Sequence, residues 1–272
     1  MSFDIQKSYQ SPPLPSEPPK VLRLLSYNIQ AGIGTSTYHH YLTRSWRHIL
    51  PDASGIQTLD NIANVVTQYD LISLQEVDGG SLRSGFINQI EYLAKLGRFE
   101  YWYQQLNRNL GRFGQYSNGV LSRFVPYEIE DHKLPGLKGR GAIVAKYGSR
   151  ENPLILVGLH LALSERARFR QLEYIRDLIQ HYEHVIVMGD MNCRAHQINN
   201  TPLKDTHLET IGEDHHTYPS WNPTRNIDHI LVSPSLKVKQ IKVLDYDYSD
   251  HRPIAMEVTL PDSLALALAE QT

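Results

Sequence analysis

The sequence predicts an α/β protein in which two β-sheets pack face to face with helices on their outer surfaces. Three observations lead there. Short apolar runs bounded by glycine or polar residues recur from residue 21 to residue 260, and such runs read as buried strands. Amphipathic helical patterns are few, at 55–68, 85–96 and 165–181. The strands do not alternate regularly with helices, which argues against a doubly wound parallel sheet and for sheet-on-sheet packing.

Composition sets the outer bounds. The chain has 272 residues, 41% hydrophobic and 21% charged, enough for a substantial core. A single domain over 21–262 is expected, with a Pro-rich N-terminal tail over 1–20 and a C-terminal tail over 263–272. The net charge of −2 excludes a broad basic field of the kind that coats nucleic acid. Cys193 is the only cysteine, so an internal disulfide and a cysteine zinc site are excluded, and it reads as a small packing residue. No run is long enough to span a membrane, and the start has no apolar leader segment. A cytoplasmic monomer is expected.

The elements follow in order. Residues 21–29 form the first strand, with Asn28 near its end. The stretch 38–52 carries three histidines, Arg44, Arg47 and aromatic residues, suited either to clamping a phosphorylated or ring-bearing substrate or to plain surface packing. Ser54 is placed to cap the 55–68 helix, whose Leu59, Ile62 and Val66 share a face. The strand at 70–77 delivers Glu76. In the 85–96 helix Phe86, Ile90 and Leu93 point inward, and Gly97 stops it. Strands are expected near 100–105, 117–122, 126–132 and 140–147, with Asn118 entering the second of these. Arg140 stands between two glycines, where a guanidinium approaches a phosphate without crowding; a surface turn is the local alternative.

The strand at 153–161 delivers His160. The helix at 165–181 has Phe169, Leu172, Ile175, Ile179 and Tyr182 on one face and a charged opposite side. The strand at 184–189 leads into Asp190 and Asn192, which alternation along a strand directs into one space. An irregular stretch covers 195–222. Asp228 then enters a strand, residues 236–246 read as a short strand or two, and Asp250 and His251 precede the last strand, 254–260.

Strand ends thus supply Asn28, Glu76, His160, Asp190, Asn192, Asp228, Asp250 and His251. The hard oxygen donors Glu76, Asn28 and Asp250 suit magnesium or manganese, which retain waters and recruit phosphate oxygens. The histidines supply acid–base capacity, each needing a carboxylate to fix its tautomer. No such partner for His160 is visible in the sequence.

Seven segments, SYNIQ, LQEVD, SNGVLSR, GLHLAL, GDMNCR, NIDHILVS and SDHRPIAMEV, together resemble the endonuclease/exonuclease/phosphatase superfamily, in that family's order. The resemblance runs from Leu25 to Val258 and implies the DNase I-like fold, a four-layered sandwich of two mixed β-sheets with helices outside. It implies metal-dependent hydrolysis of a phosphoester with Mg2+, Mn2+ being a substitute. By motif, Glu76 and Asn28 are similar to metal-side residues, and Asp250 helps hold the metal. Asp190 resembles the carboxylate that orients water, with Asn192 its partner. Asp228 pairs with His251 at the phosphate, and His160 resembles a histidine that assists the leaving oxygen. Arg140 and Asn118 fall where phosphate is contacted. Gln30 and His160 depart from the abasic-site branch, which has an acidic residue and a tyrosine there. Among substrates, a nucleic acid phosphodiester is favoured, ahead of a phospholipid, sphingomyelin or inositol phosphate, with a silent binding scaffold last.

Overall fold

The computed structural model describes residues 6–7, 20–32, 53–136, 138–209 and 214–270. The 38–52 stretch, singled out above as a possible substrate clamp, lies outside them, as does the Ser54 side chain. Twelve strands are described: β1 Gln6–Lys7, β2 Val21–Asn28, β3 Leu71–Asp78, β4 Tyr101–Asn109, β5 Gln115–Ser122, β6 Glu128–Lys133, β7 Gly141–Tyr147, β8 Leu154–His160, β9 His184–Asp190, β10 Asp228–Val232, β11 Lys237–Val243 and β12 Ile254–Thr259. They form one sheet in the order β1-β4-β5-β3-β2-β12-β11 and a second in the order β10-β9-β8-β7-β6. Both are mixed: β2 runs parallel to β3 and β8 parallel to β9, while the other pairings are antiparallel.

Alternation along the strands explains the layers. One face of each sheet contributes to a shared inner core, with Leu22, Leu24 and Met256 from the first sheet meeting Ile143, Leu156, Ile186 and Ile230 from the second. The outer face of the first sheet takes α1 Ala53–Val66 and α2 Gln89–Gly97 through Leu59, Ile62, Ile90 and Leu93. The outer face of the second takes α3 Glu165–Ile179 through Leu172, Ile175 and Ile179. Helix, sheet, sheet and helix therefore stack as four layers, the expected architecture. Cys193 is buried in the α3-side core, where desolvation pushes its thiol up to about 11. No helix among the described residues is long and apolar enough to cross a membrane.

Several local expectations fail for identifiable reasons. Phe86 is 62% exposed, because α2 starts only at Gln89, where the Asn88 side chain accepts hydrogen bonds from the amides of Ile90 and Glu91. The helix stop is Arg98, in a left-handed conformation. Gly97 lies inside the helix, where a Cβ would come within 2.7 Å of the Phe99 ring. Phe169 is half exposed; Ala167 and Gln171 occupy the buried face of α3 instead. The first amphipathic helix begins at Ala53, so residue 54 falls inside it and not at its cap.

Both expected tails carry structure. Gln6 and Lys7 pair antiparallel with Trp102 and Tyr101 of β4. A short α4 at Ala195–Ile198 lies within the 195–222 stretch, and the last segment forms a terminal α5 at Asp262–Ala269. Leu264, Ala265 and Leu268 of α5 enter the core between the sheets, so the domain does not end at 262. Leu268→Ala should lower stability by about 2–4 kcal/mol, read as a shift in the urea midpoint; an unchanged midpoint would mean that α5 is an appendage.

Candidate active site

The polar site caps one end of the inter-sheet core. In the second sheet, Gly141 pairs with His160, His160 with Asp190 and Asp190 with Asp228, across four adjacent strands. Apolar residues two and four positions along those strands, such as Met188 and Ile186 before Asp190, belong to the inner core. Period-two alternation therefore turns His160, Asp190 and Asp228 to the same inner face. Asn28 arrives from the facing sheet by the same rule, following Leu22 and Leu24, and its Nδ2 donates to Asp190 Oδ2 at 3.2 Å. Gly189 makes the close register of β8 and β9 feasible. Its φ is +154°, and a Cβ there would lie 1.9 Å from the Leu159 carbonyl oxygen.

Glu76 reaches the site by breaking alternation. Ile72 and Leu74 face α1 and α2, and a regular strand would send Glu76 the same way. Between Leu74 and Val77 the pairing with β5 shifts register, and Glu76 takes φ +54°. Val77 then fills the helix-side core, and Glu76 is freed toward His160, with 4.0 Å between Oε1 and Nε2. A bulge re-aiming a side chain in this way is a common device beside functional sites.

A hydrogen-bonded loop holds the chain just past Glu76. Asp78, fully buried, accepts from the amides of Gly80 and Ser81, the hydroxyls of Ser81 and Ser84, and Arg83 Nε. Burial works to raise its pKa, but the Ser81 and Gly80 bonds and the Arg83 charge outweigh it and hold the carboxyl below its usual value.

The histidines are charged differently. His251 Nδ1 donates to Asp228 Oδ2 at 2.8 Å, and its Nε2 lies 3.9 Å from Asp190 Oδ2. Burial disfavours its cation, yet Asp228, Asp190 and Asp250 overcome that and push it up to about 10. His160 Nε2 lies 3.4 Å from Asp190 Oδ2, so the structure supplies the carboxylate neighbours that the sequence did not reveal. Burial, Arg140 and His251 nonetheless keep His160 well below the ordinary histidine value, hence neutral near pH 7. Asp190 is raised to about 7 by burial and by Asp228. Asp250 is raised to about 6, by burial first, with His251 opposing and the Glu76 charge adding.

The remaining candidates fall around this centre. Arg140 Nη1 is 2.8 Å from His160 Nδ1, and burial lowers its pKa. Asn118 Nδ2 donates to the Gly141 carbonyl at 3.1 Å. Both line a cavity of about 620 Å3 that opens beside Glu76 and His160. Asn192 is placed by a turn and not by strand alternation. It lies past the end of β9 at φ +51°, its amide donates to Asp190 Oδ1 at 2.9 Å, and its Nδ2 donates to the Leu161 carbonyl.

Two supporting hydroxyls leave no signal in the sequence. Thr217 Oγ1 donates to Asp228 Oδ2 at 2.5 Å from within the irregular 195–222 stretch. Ser249 Oγ donates to the Asn28 carbonyl at 2.7 Å. Tyr218 packs its ring 4.9 Å from that of His251. Each is brought in by chain reversal and not by any local pattern.

Asp190, Asp228 and His251 each place a donor atom within 4.8 Å of the others. Asp228 Oδ1 is buried with no hydrogen-bond partner among the described residues. Two buried carboxylates this close repel one another, and a divalent cation relieves both the repulsion and the orphaned oxygen. The Asp190 and Asp228 carboxylates fit such an ion, whereas His251, held as a cation by Asp228, offers it no lone pair.

A model of the endonuclease/exonuclease/phosphatase family matches residues 25–251. The chain belongs to that family. Its members are phosphoesterase hydrolases, generally dependent on divalent metal. Among solved structures, a family protein from Beutenbergia cavernae is 19% identical, with TM-score 0.67, covering 90% of this chain and 73% of its own. A mannosyl-6-phosphatase from Bacteroides thetaiotaomicron is 19% identical with TM-score 0.64, over 88% of this chain and all of the other. A humanized D. rerio TDP2 is 17% identical with TM-score 0.64, over 89% of this chain and all of the other. At these identities the likeness establishes the fold. No curated protein sequence matches the chain.

Asp78→Asn should cost about 3 kcal/mol at pH 7, since it strands the buried Arg83. Because the folded pKa is depressed, the contribution is complete above the unfolded carboxyl value, near ~4, and fades as pH falls through the folded one. Urea unfolding of both proteins at pH 7 and pH 3 should show the gap narrowing in acid; a constant gap would refute the charge-based account.

Proposed function

We propose that this chain hydrolyses a phosphodiester by in-line attack of water with a bound divalent cation, Mg2+ or Mn2+, and that its substrate is DNA or RNA. The observation that carries the reading is the convergence on Asp190 of Asn28 from one sheet and His160, Asp228 and His251 from the other strands and loops. Glu76, Asn28 and Asp250 would hold the cation, with Asp190 and Asp228 close enough to share it. When bound, the cation neutralises a phosphate oxygen and supports charge on the leaving oxygen.

The chain's own groups divide the remaining work. Asp190, raised toward neutrality, is matched to accept a proton from water near pH 7. The Asn192 amide, donating to Asp190 Oδ1, fixes the direction in which the other oxygen points. His251, held as a cation by Asp228, is unsuited to act as a base and instead donates to a non-bridging phosphate oxygen, stabilising charge as it grows. Thr217 holds Asp228 in place for that pairing. His160, neutral beside Arg140, acts at the leaving oxygen as a hydrogen-bond donor and not as a cationic acid. Arg140 and Asn118 stand on the cavity wall where the substrate phosphate enters.

A panel assay tests the reading. Purified protein with Mg2+, Mn2+ or EDTA is offered plasmid, single-stranded DNA, RNA, sphingomyelin, an inositol phosphate and a chromogenic diester. Metal-dependent cleavage of a nucleic acid is expected, abolished by EDTA and reduced by about 10^2–10^4 in Asp190→Asn. Cleavage confined to the lipid or inositol ester would replace the substrate assignment. Full activity of a folded Asp190→Asn protein would overturn the mechanism.

A further inference from the structure

The cavity beside the reacting centre is larger than one phosphate needs and is lined by an uneven set of charges. It measures about 620 Å3, whereas a phosphate group fills roughly the space of a few waters, on the order of 100 Å3. Five cationic side chains line it, Arg108, Lys138, Arg140, Arg166 and Arg170, against the single carboxylate of Glu76. That excess is local, because the whole chain carries a net charge of −2.

The cations come from three separate elements around one loop. Arg108 is on β4, and its stem passes over Gly139, where a Cβ would meet the Arg108 Cβ at 3.7 Å. Gly139 adopts φ +102°, so the loop carrying Lys138 turns sharply beneath that arginine. On the other side, Gly136 faces Ala167 of α3, 3.8 Å from where its Cβ would be. The fully buried Gln171 locks this wall, accepting from the Ala162 amide and donating to the Pro135 carbonyl. Arg166 and Arg170 stand four residues apart on α3, hence on one helix face about 6 Å apart along the axis.

Arg140 is occupied by His160 and, on the reading proposed above, serves the phosphate that is cleaved. The other four are exposed, and none pairs with a carboxylate among the described residues. Like charges gathered without partners repel one another and raise the local affinity for anions.

We infer that Arg108, Lys138, Arg166 and Arg170 form a subsite for a second phosphate of the substrate, distinct from the one that is cleaved. The inference rests on the phosphoesterase reading above and names what the substrate must carry beyond its scissile bond. The second phosphate has two sources: the next nucleotide of a strand, or another ester on a small polyol.

Binding measured in EDTA tests the subsite without relying on turnover. Titration calorimetry compares the thymidine dinucleotide TpT with its 5′-phosphorylated form, and inositol 1-phosphate with inositol 1,4-bisphosphate. In at least one pair the added phosphate should tighten binding tenfold or more, with the gain shrinking as salt rises. Arg166→Ala/Arg170→Ala should abolish the gain; both positions are exposed, and thermal melting verifies that the variant is folded. A gain in the dinucleotide pair identifies a strand, and a gain in the inositol pair a small bisphosphate; either supports the subsite. No gain in both pairs, or a gain that survives in the double variant, overturns it. Selective binding without hydrolysis of any ester would instead count against the catalytic reading alone.

Discussion

Asp190 is a buried carboxylate approached from both sheets, and the arrangement of the site depends on it. Asn28 crosses from the first sheet to donate to Asp190, while His160 and Asp228 flank it in the second by strand register. An isolated charge in that position would be costly, and the cost appears as the upward shift of its pKa toward neutrality. The site offsets it with the Asn28 amide, the Asn192 backbone amide and the cationic His251. A carboxylate with a raised proton affinity beside a fixed cation is the kind of pair that functional sites hold, and the proposed reaction is built on it.

The inner core gives this polar cap its rigidity. Met188 and Ile186 continue beneath Asp190, and Ile230 and Val232 beneath Asp228, each interdigitating with the facing sheet. Side chains on such packed strands hold position better than side chains on loops. Where the site departs from regular strands, local devices replace packing. The bulge turns Glu76 out of the helix-side core, and the buried Asp78–Arg83 loop fixes the chain immediately after it. The Thr217 hydroxyl does the same for Asp228.

Charge is distributed with a comparable division. The overall balance is slightly acidic, which on composition alone argues only against a protein that coats nucleic acid. Folding gathers cations from β4, the loop before β7 and α3 onto one cavity, so a near-neutral chain presents a basic face beside Glu76 and His160. Average charge reports solubility and long-range steering, whereas recognition depends on where the charges meet.

Much of this protein was legible in sequence. Apolar runs with period two, and apolar residues at helical spacing, marked eleven of the twelve described strands and the three longer helices, because burial on one face leaves a periodic trace. The polar residues at the ends of those runs, Asn28, His160, Asp190 and Asp228, could be ranked as site candidates because alternation aims them with the core. Phe86, Phe169 and the α5 segment were misread, since a helix boundary and a terminal helix that fills a core end leave only weak local patterns. What no local pattern contains is contact between distant segments. The pairing of His160 with Asp190, the turning of Glu76 by a bulge, the support from Thr217 and Ser249, and the gathering of Arg108, Lys138, Arg166 and Arg170 arise only when strands from two sheets reach one rim. Sequence by itself determined the layers and the candidate site residues; tertiary structure decided their distances, and through burial and neighbouring charge, their protonation states.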